Sequence, residues 1–146
     1  MAHKLNSKIY KSKYGKLPGT SHADVIRAAR YEYHKIQKRT PRRQPYVRAQ
    51  YFKKDKVFIN QFWEHLKQKH PGEQLRRTKL FNCAIDLIRH TTVNPDTIYS
   101  YKHMNVSLHR FYGQTKEGYY FCVQIRENKR TNRKDFMSVF PSKKSK

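Results

Sequence analysis

The chain has 146 residues, of which 36% are hydrophobic and 14% aromatic, and this length suits one compact domain with an extension. Its 33 Lys and Arg against 10 Asp and Glu leave a formal net charge of +23, which favours a polyanionic partner such as nucleic acid over a merely solvated surface. Cys83 and Cys122 stand in apolar runs, which argues against a disulfide framework or a zinc site, and the lack of a signal-like or bilayer-spanning run predicts the cytoplasm.

The first 50 residues are basic and carry little apolar periodicity. Residues 1–20 contain scattered Tyr and Lys and a Pro-Gly break, a pattern that predicts a flexible basic arm. Residues 21–50 predict a basic helix followed by a Pro-rich linker. Ser21 and Asp24 form a capping-box-like start for this helix, and Pro41 lies in the linker.

Residues 51–141 form the body of the predicted domain, which opens with two amphipathic helices. Asp55 is the candidate N-cap of the first helix, in which large apolar residues recur at helical spacing until Pro71 and Gly72 end it. The second helix is predicted over residues 73–90, where cations in the last turn complement the helix dipole.

Four strand-like runs follow the two helices, at residues 97–102, 106–112, 118–126 and 134–140. Alternating apolar residues and intervening basic turns predict an antiparallel meander, and residues 142–146 are predicted to be a disordered tail. The predicted fold class is therefore α+β, with two helices packed on a four-stranded antiparallel sheet and a basic N-terminal arm and extra helix.

The residue types permit RNA cleavage without a metal. The acidic residues are scattered, which does not favour a two-metal site. The 2′-hydroxyl of RNA can attack the neighbouring phosphate when a base takes its proton, an acid protonates the leaving 5′-oxygen and cations stabilise the charge on phosphorus. His, Arg, Lys and Tyr can fill these roles, and the chain is rich in them. Composition allows this reaction but does not require it.

Several short motifs in the body carry a family resemblance. They are KQKHP (67–71), NPD (94–96), LHRFYG (108–113), GYYFCVQI (118–125) and MSVFP (137–141). This layout resembles the barnase–EndoU–colicin–RelE-like nuclease superfamily, especially its phage- and mobile-element-associated branch. The resemblance covers roughly residues 55–141. It implies a RelE-like, toxin-like endoribonuclease fold that needs no metal or other cofactor and is neutralised by a partner protein.

The resemblance also implies site residues. His70 matches the histidine at the end of a helix, Arg110 a phosphate-facing arginine on the second strand, and Ser138 the Ser or Thr of the last strand, while Tyr112 and Lys129 match only loosely. The long basic N-terminal region has no counterpart in the family. Each residue also has a plainer interpretation, because His70 can be a helix-terminal cation and Ser138 an ordinary strand residue.

The sequence therefore predicts two sets of functional residues. The candidate catalytic residues are His70, His109, Arg110 and Ser138. The candidate nucleic-acid-binding residues are Arg89, Tyr112, Arg126, Lys129, Arg130 and Arg133. Tyr side chains can stack on bases, and the cations of the last turn can contact phosphates.

Three functions remain open at this point. The first is a metal-independent endoribonuclease that cleaves by 2′-hydroxyl attack. The second is a non-catalytic basic protein that binds RNA or DNA through the same surface. The third is a degenerate toxin relative that only engages a protein partner. The expected partners are RNA, which can include ribosome-bound RNA, and an acidic inhibitor protein, with no membrane partner.

Overall fold

The computed structural model describes residues 9–40, 42, 44–100, 102 and 104–143. The elements follow one another along the chain as β1 (Tyr10–Lys11), α1 (His22–Gln37), β2 (Tyr46–Ala49), β3 (Asp55–Phe58), α2 (Gln61–Leu66), α3 (Pro71–Thr78), α4 (Phe81–His90), β4 (Asp96–Tyr99), β5 (Val106–Gln114), β6 (Tyr120–Asn128) and β7 (Arg133–Pro141). No described helix is both long and apolar enough to cross a bilayer.

All seven strands belong to one mixed sheet. The strand order is β1-β5-β6-β7-β3-β2, and β4 also pairs with β5, beside β1 and along the same edge. The β4–β5–β6–β7 part is an antiparallel meander, while β1 pairs with β5 and β3 pairs with β7 in parallel. The N-terminal half of the chain therefore supplies strands to both sides of the meander.

The predicted architecture of two helices on a four-stranded antiparallel sheet is wrong, because the described residues form four helices and a seven-stranded mixed sheet. The four meander strands lie close to their predicted positions. β2 lies within the predicted linker, and β3 occupies the predicted start of a helix at Asp55. The turn between them places Lys53 and Lys54 at φ values of 57° and 69°. Gly and Asn usually occupy this left-handed conformation, and lysine rarely does. Because neither Gly nor Asn stands here, the sequence gives no signal for the hairpin.

Two predicted helix boundaries are also wrong. Pro71 does not end a helix but begins α3, because proline suits the first helical position, where its missing N–H would have no intrahelical partner. The helix predicted over residues 73–90 is divided into α3 and α4 near Lys79. At this break the carbonyl of Lys79 accepts a hydrogen bond of 2.8 Å from the backbone N–H of Leu17. A tertiary contact of this kind leaves no periodic signal in the sequence.

The main core lies between the helices and one face of the sheet. Phe62 of α2 stacks on Phe136 of β7 with ring centroids 5.0 Å apart, and α1 adds the buried side chains of Ala29 and Ile36 to the same cluster. The helical layer approaches the sheet closely at Gly113. A Cβ there would lie 2.6 Å from the Phe121 ring and 3.0 Å from Leu87, so the position requires glycine. Residues 21–50 thus contribute to the core of residues 51–141.

Part of the predicted flexible arm is docked on this core. The hydroxyls of Tyr10 and Ser12 each donate a hydrogen bond of 2.8 Å to Asp86, a buried carboxylate of α4. Farther along the arm, the backbone N–H of Lys16 donates to Glu117. Residues 1–8 of the predicted arm and residues 144–146 of the predicted tail lie outside the described residues.

Candidate nucleic-acid interface

The meander has two faces of different character, because successive residues of a strand point to opposite sides. The face under the helices carries the core side chains. The other face, which we call the open face, stays partly exposed along β5 and β6. Strand register assigns to the open face, among others, Asp96, Ile98, Leu108, Arg110, Tyr112, Gln114, Tyr120, Cys122, Gln124, Arg126, Asp135, Ser138 and Phe140.

A polar row crosses the middle of the open face. Asp96, Arg110, Gln124 and Ser138 lie side by side on four successive strands. Arg110 Nε donates a hydrogen bond of 3.1 Å to Gln124 Oε1, its neighbour on β6. No other side-chain hydrogen bond of Arg110 occurs among the described residues, so its terminal nitrogens keep their donors for a ligand. The row can therefore hold an anion such as a phosphate.

Arg77 brings a second guanidinium group to this row, and it is not among the residues predicted from the sequence. It lies in the last turn of α3, where its Nη1 donates to Ser138 Oγ at 2.6 Å and its Nε donates to Glu73 at 2.8 Å. The guanidinium also lies over the ring of Phe140, 5.3 Å from its centroid. Hydrogen bonds from Arg76 and Arg77 lower the pKa of Glu73. The Glu73–Arg77 spacing of four residues was the only signal available in the sequence.

Aromatic side chains flank the polar row. Tyr112 and Phe140 lie on either side of Cys122 in the next row of the open face. Partial burial raises the pKa of Tyr112, as do the neighbouring Cys122 and Asp96, so its hydroxyl remains a donor at neutral pH. Burial also raises the pKa of Cys122 to about 12, which leaves the thiol protonated and unsuited to nucleophilic attack. The exposed parts of the two rings can stack on bases.

Predicted binding residues also lie at the far end of the open face, and they differ in whether their side chains already have hydrogen-bond or ion-pair partners. Arg126 is partly exposed and makes no side-chain hydrogen bond to any described residue. Arg133 is held by an ion pair of 3.0 Å with Asp135 and a hydrogen bond of 2.6 Å to Gln44. Lys129 and Arg130 are exposed on the β6–β7 turn, where the Lys129 ammonium lies 5.0 Å from the centre of the Tyr99 ring. These cations form a basic rim.

His109 points to the covered face, opposite to Arg110. Its Nε2 contacts Glu127 Oε1 at 2.7 Å and its Nδ1 contacts Thr97 Oγ1 at 2.9 Å. Lys134, which is only 2% exposed, completes this covered polar cluster through an ion pair of 3.0 Å with Asp55. Burial and internal partners occupy His109, so the structure does not bring it into a common site with Arg110.

His70 and Arg89 are also separated from the open face. His70 is the N-cap of α3, and its Nδ1 accepts a hydrogen bond of 3.3 Å from the backbone N–H of Glu73. It lies seven residues before Arg77, or about 10 Å along the helix. Arg89 lies in the last turn of α4, on the helical side of the sheet. Of the four candidate catalytic residues, only Arg110 and Ser138 share one face.

No group of three His, Cys, Asp or Glu side chains in the described part of the chain could hold a metal ion. The open face offers guanidinium groups, hydroxyls, amides, carboxylates and aromatic rings as its chemistry. Comparisons with protein-family models, with curated proteins and with solved structures give no match to this chain, so the resemblance to the nuclease superfamily stays a prediction.

Proposed function

We propose that the open face binds single-stranded RNA in the cytoplasm. The observation that carries this proposal is the polar row of Arg110, Gln124 and Ser138, which Arg77 extends and aromatic rings flank. Free guanidinium donors suit phosphates, and exposed rings on a sheet suit unpaired bases, which duplexes do not offer. The net charge of +23 supports the same partner through counterion release.

Cleavage of the bound RNA is the second candidate function. It needs a proton acceptor and a proton donor beside the phosphate, in addition to cations. Asp96 and Tyr112 are ionisable groups of the open face next to Arg110. In this scheme the Asp96 carboxylate takes the proton of the 2′-hydroxyl, and Tyr112 protonates the leaving 5′-oxygen. The products are a 2′,3′-cyclic phosphate and a 5′-hydroxyl, and Arg110 and Arg77 stabilise the charge on phosphorus.

Binding is tested by fluorescence anisotropy with a short labelled single-stranded RNA. Arg110→Gln and Arg77→Gln each remove one guanidinium from the row, and we expect each to weaken binding about tenfold. The slope of affinity against salt should fall by about 1 for each lost phosphate contact. Arg27→Gln is the matched control, because Arg27 is an exposed residue of α1 that pairs with the exposed Asp24. Equal losses for all three variants would overturn the proposal.

Cleavage is tested with the same RNA in the presence of EDTA. Fragments that end in 2′,3′-cyclic phosphate, and that are lost in Asp96→Asn, would support the second candidate. Intact RNA together with tight, salt-dependent binding would leave the binding function alone. An acidic inhibitor protein, the other expected partner, should compete with RNA for the open face, because both would neutralise the same cations.

A further inference from the structure

A second basic site lies on the opposite side of the molecule, in a cleft between α1 and α4. The cleft has a volume of about 330 Å³ and is lined by Tyr14, Lys35, Arg39, Asn82, Arg89 and His90, together with two acidic residues. Ligand pockets in proteins begin at about this size. The helical layer and the sheet separate the cleft from the open face, since α4 packs its Leu87 against the covered side of the sheet at Gly113.

The two acidic residues of the cleft are already engaged. Glu32 pairs with Lys35 at 3.3 Å. Asp86 accepts hydrogen bonds from Tyr10 and Ser12 and contacts His90 at 3.0 Å. The carboxylates of the cleft therefore have little capacity left for further cations.

Arg39 and Arg89 are cations of the cleft that do not pair with its two carboxylates. Neither side chain makes a hydrogen bond or an ion pair with any residue that the structure describes. Arg89 is half-buried, and this burial together with the nearby charge of Arg39 lowers its pKa, although Tyr14, Asp86 and Glu32 act in the opposite direction. Two like charges at a partly desolvated site raise the free energy of the folded state unless an anion joins them. Such a pair is a common arrangement for binding phosphate.

We propose that this cleft is a phosphate-binding site, in which Arg39 and Arg89 together hold one phosphate group. The Asn82 amide and the Tyr14 hydroxyl line the same cleft and can donate further hydrogen bonds. The phosphate can belong to a free phosphate ester or to the 5′-end of an RNA strand. The site does not depend on RNA binding at the open face.

The site is tested by following the melting temperature as inorganic pyrophosphate is added, with sodium chloride of equal ionic strength as the reference. The wild type, Arg27→Gln and Arg110→Gln should show a saturable rise in melting temperature. Arg89→Gln should lose most of this rise, and calorimetry should show at least about tenfold weaker binding. Without pyrophosphate, Arg89→Gln should melt no lower than the wild type, because the half-buried charge that Arg39 repels is removed.

Arg39→Gln serves as a second variant and should show the same loss if Arg89→Gln fails to fold. An equal rise in Arg89→Gln and Arg110→Gln would overturn the proposal, because it would mean that the anion binds the net charge and not the cleft. No saturable rise in the wild type would overturn it as well. A rise that is lost in Arg110→Gln and kept in Arg89→Gln would also overturn it, because it would place the pyrophosphate at the polar row of the open face.

Two RNA oligomers of one sequence distinguish the sources of the phosphate. If the site takes an RNA end, the 5′-phosphorylated oligomer should bind more tightly than the 5′-hydroxyl oligomer, and Arg89→Gln should abolish the difference. If the two oligomers bind equally while pyrophosphate binds in the cleft, the site takes free phosphate esters.

Discussion

His109 and Arg110 are neighbours in β5, yet they belong to two regions of different character. On the covered face, His109 joins the polar cluster of Thr97, Glu127 and Lys134, in which each charged group has an internal partner. On the open face, Arg110 uses one nitrogen for Gln124, and its others make no hydrogen bond to a described residue. The comparison separates polar groups that stabilise the fold from polar groups that remain available to a ligand.

The difference follows from solvation. A charge buried on the covered face must be paired, since leaving it alone costs several kcal/mol. Lys134 meets this condition with Asp55, Glu127 and Asn132. A cation on the open face keeps contact with water, so it can stay unpaired at little cost until an anion replaces the water. Residue type alone does not tell paired from unpaired cations. The face of the strand on which the residue lies does, and alternation along the strand sets that face.

The largest expected effect concerns Cys122, which lies on the open face but is only 1% exposed. Tyr112 and Phe140 flank this thiol in the sheet register, and burial raises its pKa to about 12, so we expect it to react with DTNB about a hundredfold more slowly in the native protein than in urea. Phe140→Ala should restore much of the reactivity of Cys122. Cys83, whose pKa burial also raises to about 12, is the internal control. Fast reaction of native Cys122 would contradict the described packing of the open face.

Breaking the covered polar cluster should have the next largest effect. Lys134→Ala removes the cation that Asp55 and Glu127 share, and we expect the free energy of unfolding to fall by about 3 kcal/mol. Arg110→Ala, the matched change on the open face, should lower it by less than about 1 kcal/mol. Urea denaturation measures both values. Similar losses in the two variants would remove the distinction between the faces.

The docked N-terminal segment gives an intermediate effect. Asp86→Ala deletes the acceptor of Tyr10 and Ser12, and we expect a loss of about 2 kcal/mol in unfolding free energy. Trypsin should also cut faster after Lys11 and Lys16, because β1 would leave the edge of β5. Asp24→Ala changes an exposed carboxylate of α1 and should leave the cutting rate unchanged. Unaltered digestion of Asp86→Ala would mean that other contacts hold the segment.

Glu73 gives the smallest expected effect, and its pH dependence has a defined sign. Arg76 and Arg77 hold the pKa of Glu73 below its ordinary value of 4.5. The resulting stabilisation is fully present above that ordinary value and is lost as the pH falls through the lower folded-state pKa. Glu73→Gln should therefore cost about 0.5 kcal/mol at neutral pH and nothing in strong acid. Urea titrations at several pH values measure this difference, and a constant cost would contradict the ion pair.

The meander was predictable because its strands are long and alternate in character. β2 and β3 have four residues each and join through Lys53 and Lys54, so neither length nor turn chemistry indicated them. The start of α3 was not predicted for another reason. Proline is common both just after a helix and at its first position. Because Pro71 was interpreted as a helix end, His70 was predicted at the C-terminus of one helix, whereas it is the N-cap of α3.

The candidate site was predictable in part. Arg110 and Tyr112 share a face because they are two residues apart, and the same parity excludes His109 from that face. The pairing of Gln124 with Ser138 depends on a β-bulge between β6 and β7, and no residue pattern in the sequence indicates this bulge. Arg77 reaches Ser138 across 61 positions, and only the tertiary structure brings such residues together.

The most direct test compares Arg110→Gln with His109→Gln, because the two changes affect adjacent residues of one strand. We predict that Arg110→Gln weakens single-stranded RNA binding about tenfold and leaves the stability almost unchanged. His109→Gln should lower the stability and leave the RNA affinity of the folded protein unchanged. Equal losses of affinity in the two folded variants, or no loss in Arg110→Gln, would contradict the assignment of RNA binding to the open face.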